Sequence, residues 1–541
     1  MLAKPNPTDW LMWRRTLDSW GFSPLNQITR SNAPSLRLVW KHDIGPGMQE
    51  GTPLVHDGVL FLPSPSDFIE ALDGATGSAL WAYKREFPKD FRSGLGTKRT
   101  MAIWGNSIIS ESADDFIYAL NTQSGKLEWE TRVLDYREEN GSQSGGPIVA
   151  GGKIFSTRAC NFRNATPAGC VITAHDATTG KELWRRRLIP RDGEPGDESW
   201  GGMPQNQRRH IGAWMSPSYD ADLNLLYVGT SVTSPAPKYM LAGNDHQYLY
   251  HNSTLALNAN TGELVWYYQH VVDHWDLDHP FERLLLDTAV APDPKDVPWI
   301  NPKLRKGERR KVLTGIPGKT GLIYTLDRAT GEFLWARPTV FQNVISNIDG
   351  ATGKVTVNPD ALFTADRQTK MICPSPNGGK NFQAGAYSPM TNAMYFGLEN
   401  ACIDMTTSED HTTAYAFTSK MRLSPNMDKA GSLFAISAET GKTLWRYDQP
   451  AGMMSSLATG GGLIFAGDSV GRFRAFDHET GKILWETDLG SEITGYPITY
   501  SVNGKQYVAV STGNSLVSGA INTMMNLKAT RTNALYVFAL P

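Results

Sequence analysis

Cysteine is scarce. There are four in 541 residues, at positions 160, 170, 373 and 402, and none sits in a CxxC or CxxCH pattern, so neither a zinc ribbon nor a covalently attached c-type haem is expected. No run of eighteen apolar residues occurs, and hence no transmembrane helix is read. Neither sign of charge is in excess: 52 basic and 54 acidic residues leave a formal net charge of -2, which argues against nucleic acid or an anionic membrane surface as the main partner. The first residues, MLAKPNPTDW, have no apolar core and do not read as a signal peptide. No GxxxxGK[ST] phosphate loop is present, and Gly318-Lys319-Thr320-Gly321 only echoes one.

Gly (51), Pro (32) and Trp (16) are plentiful, a composition suited to many short strands and tight turns. A self-similar motif recurs. It reads ALDGATGSALW at 71–81, ALNTQSGKLEW at 119–129 and AHDATTGKELW at 174–184, and it returns at 256–266, 325–335, 435–445 and 475–485. In each copy a short strand ends at Asp or Asn, whose side chain can cap a turn. A glycine, Gly77 in the first copy, supplies a positive-φ position, and the next strand carries a large flat Trp. An eighth copy reads as split, with LRLVW at 36–40 forming the Trp-bearing half and ALYVFALP at 534–541 the strand before the turn. Pairing the two ends closes a ring and removes its open seam. The expected fold is an all-β, eight-bladed β-propeller over 1–541 as one domain. An open β array is the alternative.

Bare blades need about 40–45 residues. The repeat tryptophans at 40 and 81, and at 445 and 485, keep that spacing, whereas 184 to 266, 266 to 335 and 335 to 445 are far wider. The extra material therefore gathers in mid-chain, at about 186–251 and 336–382, where loops on a rigid scaffold tend to carry function. The four cysteines fall into two close pairs, which suggests disulfides 160–170 and 373–402 and an oxidising compartment; four unrelated buried thiols are the alternative.

One stretch concentrates ionisable chemistry beside aromatic surface: VVDHWDLDHPFER at 271–283. It holds Asp273, Asp276, Asp278 and Glu282, with His274, His279, Arg283 and Trp275. The Trp-ended repeats, this Trp-Asp-x-Asp stretch, the spacing of Cys373 and Cys402 and the run TGIPGKTG at 314–321 together resemble the quinoprotein alcohol dehydrogenases. These enzymes use pyrroloquinoline quinone (PQQ), and the likeness is to soluble members without a haem domain, from about residue 17 onward.

The resemblance implies that Asp276 is the general base on an alcohol and that Lys319 hydrogen-bonds the reactive quinone oxygens, stabilising charge as hydride arrives. It implies that Trp214 is the floor under the PQQ rings and that Arg99 pairs with a PQQ carboxylate. Glu50 matches an acid at the cofactor edge, Ser144 stands where the family usually has Thr, and Asn381 matches an Asn near the quinone. Asp276 and Asp278 are the expected ligands of one metal ion, calcium or a lanthanide, since side chains two apart in an extended segment point the same way and a trivalent ion favours the additional anionic oxygen. A separate cytochrome c or similar carrier is the expected electron acceptor, and the periplasm the expected compartment.

The match has gaps. The family's calcium-binding Glu has no acidic counterpart in Ser156 to Asn164, and its metal-binding Asn aligns with Tyr248. Asn161 or Asn164 as ligands, or Arg158 as a substitute cation, are ways to close the gap. The adjacent-cysteine ring of many members is absent, with FRSGLGT at 91–97 in its place. A tryptophan that often covers the quinone aligns with Met453, implying a wider substrate pocket. A non-catalytic scaffold propeller has no reason to carry the Trp-Asp-Leu-Asp stretch, Lys319 and Trp214 together, and a propeller hydrolase or lyase using Asp276 and His279 would leave Trp214 and Arg99 unexplained.

Overall fold

A computed structural model describes residues 5–92, 96–138, 141–160, 170–515 and 517–541. The protein is all-β, with 43% strand and 4% helix. Eight sheets of four or five strands are present among the described residues. The first is the template: Leu54–His56, Val59–Ser64, Phe68–Asp73 and Ala79–Lys84, in that order and antiparallel throughout. In the last, Arg37–Asp43 from the start of the chain pairs antiparallel with Ala534–Ala539 from its end, Trp40 opposite Val537.

The repeat has the turn chemistry its sequence implies. Asp73 Oδ1 accepts from the amides of Ala75 and Thr76 at 3.0 and 2.8 Å, and Asn121, Asp176, Asp327 and Asp477 cap their turns in the same way. The turn glycine does more than relieve backbone strain. A methyl group added at Gly77 (φ +74°), Gly125, Gly180, Gly262, Gly331, Gly441 or Gly481 would lie within 3.0 Å of an indole ring, namely Trp40, Trp81, Trp129, Trp184, Trp266, Trp335 or Trp445. Each of these seven tryptophans thus lies against the turn of the following repeat. Trp81, Trp184 and Trp445 also donate their indole N–H to a backbone carbonyl of that turn at 2.9–3.0 Å. Trp40, Trp266 and Trp335 have no such partner among the described residues, so packing rather than the hydrogen bond is what all copies share. Trp485, whose following turn is replaced by the chain ends, packs edge-on against Phe538 instead, centroids 5.1 Å apart.

Both disulfides expected from the cysteine spacing are present, Cys160–Cys170 and Cys373–Cys402. The second staples Thr369–Ile372 to a three-stranded sheet completed by Ala401–Thr407 and Phe417–Leu423. The extra material after residue 382 is thus a separate excursion, which leaves a large sheet after its strands Ala386–Ser388 and Ala393–Glu399 and rejoins it at Gly431–Ser437. The first insertion, by contrast, includes two strands of the fourth large sheet, Ser218–Asp220 and Leu225–Gly229.

No repeat or motif marks residues 10–21, yet they bind the sheets together. Trp10, Leu11, Met12 and Trp13 are buried. The segment hydrogen-bonds the first strands of six different sheets: Trp10 to Val55, and the carbonyls of Leu11, Leu17, Asp18, Trp20 and Gly21 to the amides of Ile103, Tyr219, Leu285, Tyr387 and Ala458.

The weight carried by the Trp–Gly contact is measurable by denaturant unfolding. Gly125→Ala must place a methyl group 2.5 Å from Trp81 at φ +66° and is expected to lose about 2–4 kcal/mol, overpacking added to left-handed strain. Gly105→Ala, at φ +58° with nothing near its added carbon, carries the strain alone and is expected to lose about 1–2 kcal/mol. Equal losses would remove the docking from the explanation.

Candidate functional site

Seven of the eight side chains singled out in the sequence sit in segments that lead into the first strand of a sheet. Glu50 precedes Leu54–His56, Arg99 precedes Ala102–Trp104, Ser144 precedes Ile148–Ala150, Trp214 precedes Ser218–Asp220, Asp276 and Asp278 precede Leu284–Val290, and Asn381 precedes Ala386–Ser388. Equivalent positions in successive sheets converge, and these residues line one cavity of about 310 Å³. Lys319 reaches the same cavity from a different position, just before Leu322–Asp327.

The residues interlock around Trp214. On one side Arg99 donates to Glu50 Oε2 at 2.5 Å and to Ser144 Oγ at 2.8 Å. Ser144 Oγ in turn donates to the Trp214 carbonyl at 3.2 Å. The guanidinium sits over the Trp214 and Phe382 rings, 5.2 and 5.0 Å from their centroids. On the other side the Trp214 indole N–H donates to Asp278 Oδ2 at 3.2 Å, and the Val232 amide donates to Asp278 Oδ1 at 2.9 Å. Lys319 Nζ closes the group, 2.8 Å from Asp276 Oδ1 and 3.4 Å from Asp278 Oδ2. Asn381 donates to the Asn377 carbonyl at 2.8 Å and accepts from the Phe382 amide at 2.8 Å.

The two acids meet Lys319 for a reason other than strand alternation. Asp276 is left-handed, φ +65°, a costly conformation for a non-glycine residue that its surroundings must enforce. Asp273 enforces it. Its carboxylate accepts from the Trp275 amide at 2.7 Å and the Leu277 amide at 2.5 Å, clasping the turn from both sides of Asp276. Asn252 anchors that clasp, donating to Asp273 Oδ2 at 3.1 Å and to the Leu277 carbonyl at 2.9 Å. Asp273 stood in the acidic stretch, but its role depends on a turn that no periodicity announces.

Burial pushes the Asp276 carboxyl up to about 8. Lys319 pulls the other way, and the neighbouring Asp278 adds to the rise. For Lys319 burial favours loss of the proton, but Asp276 and Asp278 outweigh it, and the ammonium is held above its ordinary value. Side-chain exposure is 16% at Asp276, against 7% at Lys319 and 8% at Asp278; Asp276 is the member of the trio that opens most to the cavity.

Several expectations about the gaps need correction. Arg158 is fully buried and pairs with Asp115 at 3.2 Å, and it does not line the cavity. Met453, the first residue of the strand Met453–Thr459, is 1% exposed and does not line the cavity; Pro376, Phe382 and Val517 supply apolar wall. Tyr248 is buried against Trp200 and donates to the Gly243 carbonyl at 2.6 Å. Asn161 and Asn164 lie outside the described residues, as do residues 93–95. Two residues that line the cavity carry no motif that sequence reasoning could use. His210 is four positions before Trp214, its ring Nδ1 2.7 Å from the Cys160 carbonyl. Tyr415, from the connection between Ala401–Thr407 and Phe417–Leu423 of the disulfide-stapled sheet, hydrogen-bonds Asp276.

The arrangement offers a flat aromatic face, two cations and two adjacent carboxylates in a space of the size that small ligands fill. It suits a planar polyanionic ligand, and a proton acceptor stands at its edge. Lys319→Met should destabilise the protein by about 3–5 kcal/mol, because it strands two buried carboxylates. Adding Asp276→Asn should recover part of that loss in urea unfolding. Purely additive losses would show that Lys319 and Asp276 are not coupled.

Comparison with known proteins points the same way. The family "PQQ: Glucose/ethanol/alcohol dehydrogenase, beta-propeller domain" matches residues 10–344 and 449–508. The dehydrogenase subunit of alcohol dehydrogenase (quinone) from Komagataeibacter europaeus is 31% identical over 553 residues, covering 94% of this chain and 72% of that protein. Among solved structures, the quinohemoprotein alcohol dehydrogenase ADHIIG from Pseudomonas putida HK5 superposes with TM-score 0.85 at 26% identity, over 99% of this chain and 80% of that one. A europium-containing methanol dehydrogenase superposes with TM-score 0.85 at 25% identity, over 100% and 99%.

Proposed function

The chain belongs to the PQQ-dependent glucose/ethanol/alcohol dehydrogenase β-propeller family, and on that premise we propose that it oxidises an alcohol at the cavity around Trp214. The observation that carries the reading is that Glu50, Arg99, Ser144, Trp214, Asp276, Asp278, Lys319 and Asn381 line this single cavity. An eight-bladed ring is the arrangement we propose for the scaffold. It is supported by the eight large sheets and by the pairing of Arg37–Asp43 with Ala534–Ala539. A scaffold protein has no need of a cavity with so many buried charges.

The residues fit PQQ. The Trp214 ring offers the flat surface a tricyclic cofactor needs, and Arg99 is a fixed cation suited to a carboxylate. When bound, PQQ supplies the acceptor for the hydride that leaves the alcohol carbon. Asp276 takes the hydroxyl proton, and the Tyr415 hydroxyl and Lys319 hold its carboxylate in place. Lys319 carries the positive charge that offsets the negative charge arriving with the hydride.

A metal ion fits in part. Asp276 and Asp278 would hold it and it would act as a Lewis acid, but no third acid joins them among the described residues. The second carboxylate, and the likeness to a europium-containing methanol dehydrogenase, favour a lanthanide over calcium. The electron acceptor in this reading is a separate carrier such as a cytochrome c. Two disulfides support an oxidising compartment, the periplasm.

The test is dye reduction by the apo protein loaded with PQQ and either calcium or lanthanum, across primary, secondary and bulky alcohols. PQQ-dependent turnover is expected. Asp276→Asn should lower kcat by about 10²–10⁴-fold, and Asp278→Ala should abolish the advantage of lanthanum. No PQQ-dependent reduction with any metal rejects the reading, and full activity in Asp276→Asn rejects the assigned base.

A further inference from the structure

Two acids of the stretch 271–283 face the cavity and a third, Asp273, clasps the turn. The fourth, Glu282, does neither. It pairs with Lys380 at 2.8 Å, and both side chains are 0% exposed. A buried ion pair is not in itself a device for stability, because an apolar pair of similar volume usually serves as well or better. Its particular contacts are therefore what call for a reason.

Those contacts run to the segments that carry or back the walls of the cavity. Lys380 is the residue before Asn381, and its ammonium also donates to the Asn381 carbonyl at 3.2 Å. The same ammonium lies over the Phe281 ring, 4.5 Å from its centroid. Phe281 in turn meets the Trp214 ring edge-to-face, centroids 5.4 Å apart at 81°. Glu282 uses its second oxygen on the Gly385 amide at 2.8 Å. Arg14 from the N-terminal segment holds the carbonyl of that same Gly385 and that of Ser456. One pair thus ties together the loop bearing Asp276 and Asp278, the segment bearing Asn381 and Phe382, and the indole of Trp214. Every polar atom of the pair has a partner, the condition under which a buried network specifies one geometry.

The backbone of the loop is braced as well. Phe281 donates its amide to the Pro317 carbonyl at 3.0 Å, two residues before Lys319, and Arg283 curls back to donate to the carbonyls of Phe281 and His279. The bracing fixes the loop's own shape. Glu282 and Lys380 fix that shape against the segment that bears Asn381.

We propose that Glu282 and Lys380 are positioning residues that set the spacing between Trp214, Asn381 and the Asp276–Asp278 loop, and so the affinity of the cavity for PQQ. The inference rests on the function proposed above. Misplacing a rigid binding wall by a fraction of an ångström costs affinity out of proportion to the size of the displacement.

The informative variant is E282Q/K380M, which removes both charges together, keeps the volume and retains an oxygen for the Gly385 amide. K380M alone strands a buried carboxylate and can fail to fold for that reason. Apo proteins are dialysed to equilibrium against PQQ with lanthanum or calcium chloride, bound cofactor is read by its absorbance, and thermal midpoints are taken in parallel. The double variant is expected to fold with a midpoint within a few degrees of the parent and to bind PQQ at least about tenfold more weakly, the scale at which residues behind a binding shell act. K380R, which keeps the charge, should recover most of that affinity. An unchanged dissociation constant in the double variant overturns the proposal whatever its midpoint does. A double variant that does not fold overturns it too, since the pair would then be a folding requirement. If the parent itself binds no PQQ, the function proposed above fails instead.

Discussion

The architecture depends on a flat ring meeting a missing side chain. An indole can lie on a neighbouring turn only where that turn has no Cβ to push it off, so the tryptophan of one repeat and the glycine of the next form a single interlocking unit written across two copies. The glycine is doubly constrained, by a left-handed backbone and by the ring above it. The unit also explains why the copies are regular where the insertions are not: material can be added at strand ends without disturbing the contact. The rim stays uniform, and residues between the sheets are free to diverge.

That division of labour places the site. Residues just ahead of each sheet's first strand are brought to one place by the packing of the sheets, not by any affinity for one another. Once there, their charges must be balanced locally. Arg99 is balanced by Glu50, and Lys319 by Asp276 and Asp278. The cavity thus keeps fixed charges of both signs and stays close to neutral, a preorganised polar surface that needs little rearrangement when a charged ligand enters. Trp214 belongs to both halves, through its carbonyl on one side and its indole N–H on the other.

Much of this was legible because it is written in local pattern. The repeat revealed the sheets, the turns and the pairing of the chain ends, and long motifs singled out eight side chains that line one cavity. What was not legible is contact between segments far apart. Nothing around Tyr415 marks it as a neighbour of Asp276, since a disulfide-stapled insertion delivers it. Asp273 reads as one more acid until the left-handed turn at Asp276 is seen. Arg158, considered as a substitute cation for a missing family acid, is taken up by Asp115, and Met453, which stands where the family often has Trp, is buried at the start of a strand.

The strap formed by residues 10–21 has a consequence for how the protein is made. Its residues leave the ribosome early, yet Arg14 bonds the carbonyl of Ser456, 442 positions later, and Arg37–Asp43 finds its partner only in Ala534–Ala539. Loop closure over such spans must precede its reward, which slows folding and exposes unfinished edges. Synthesis therefore passes through a long stage in which early sheets wait with uncovered faces, and the C-terminal sheets then complete the strap, the seam and the walls of the cavity almost together. A chain released before those sheets are made would leave Arg37–Asp43 without its partner strand and the cavity without Val517.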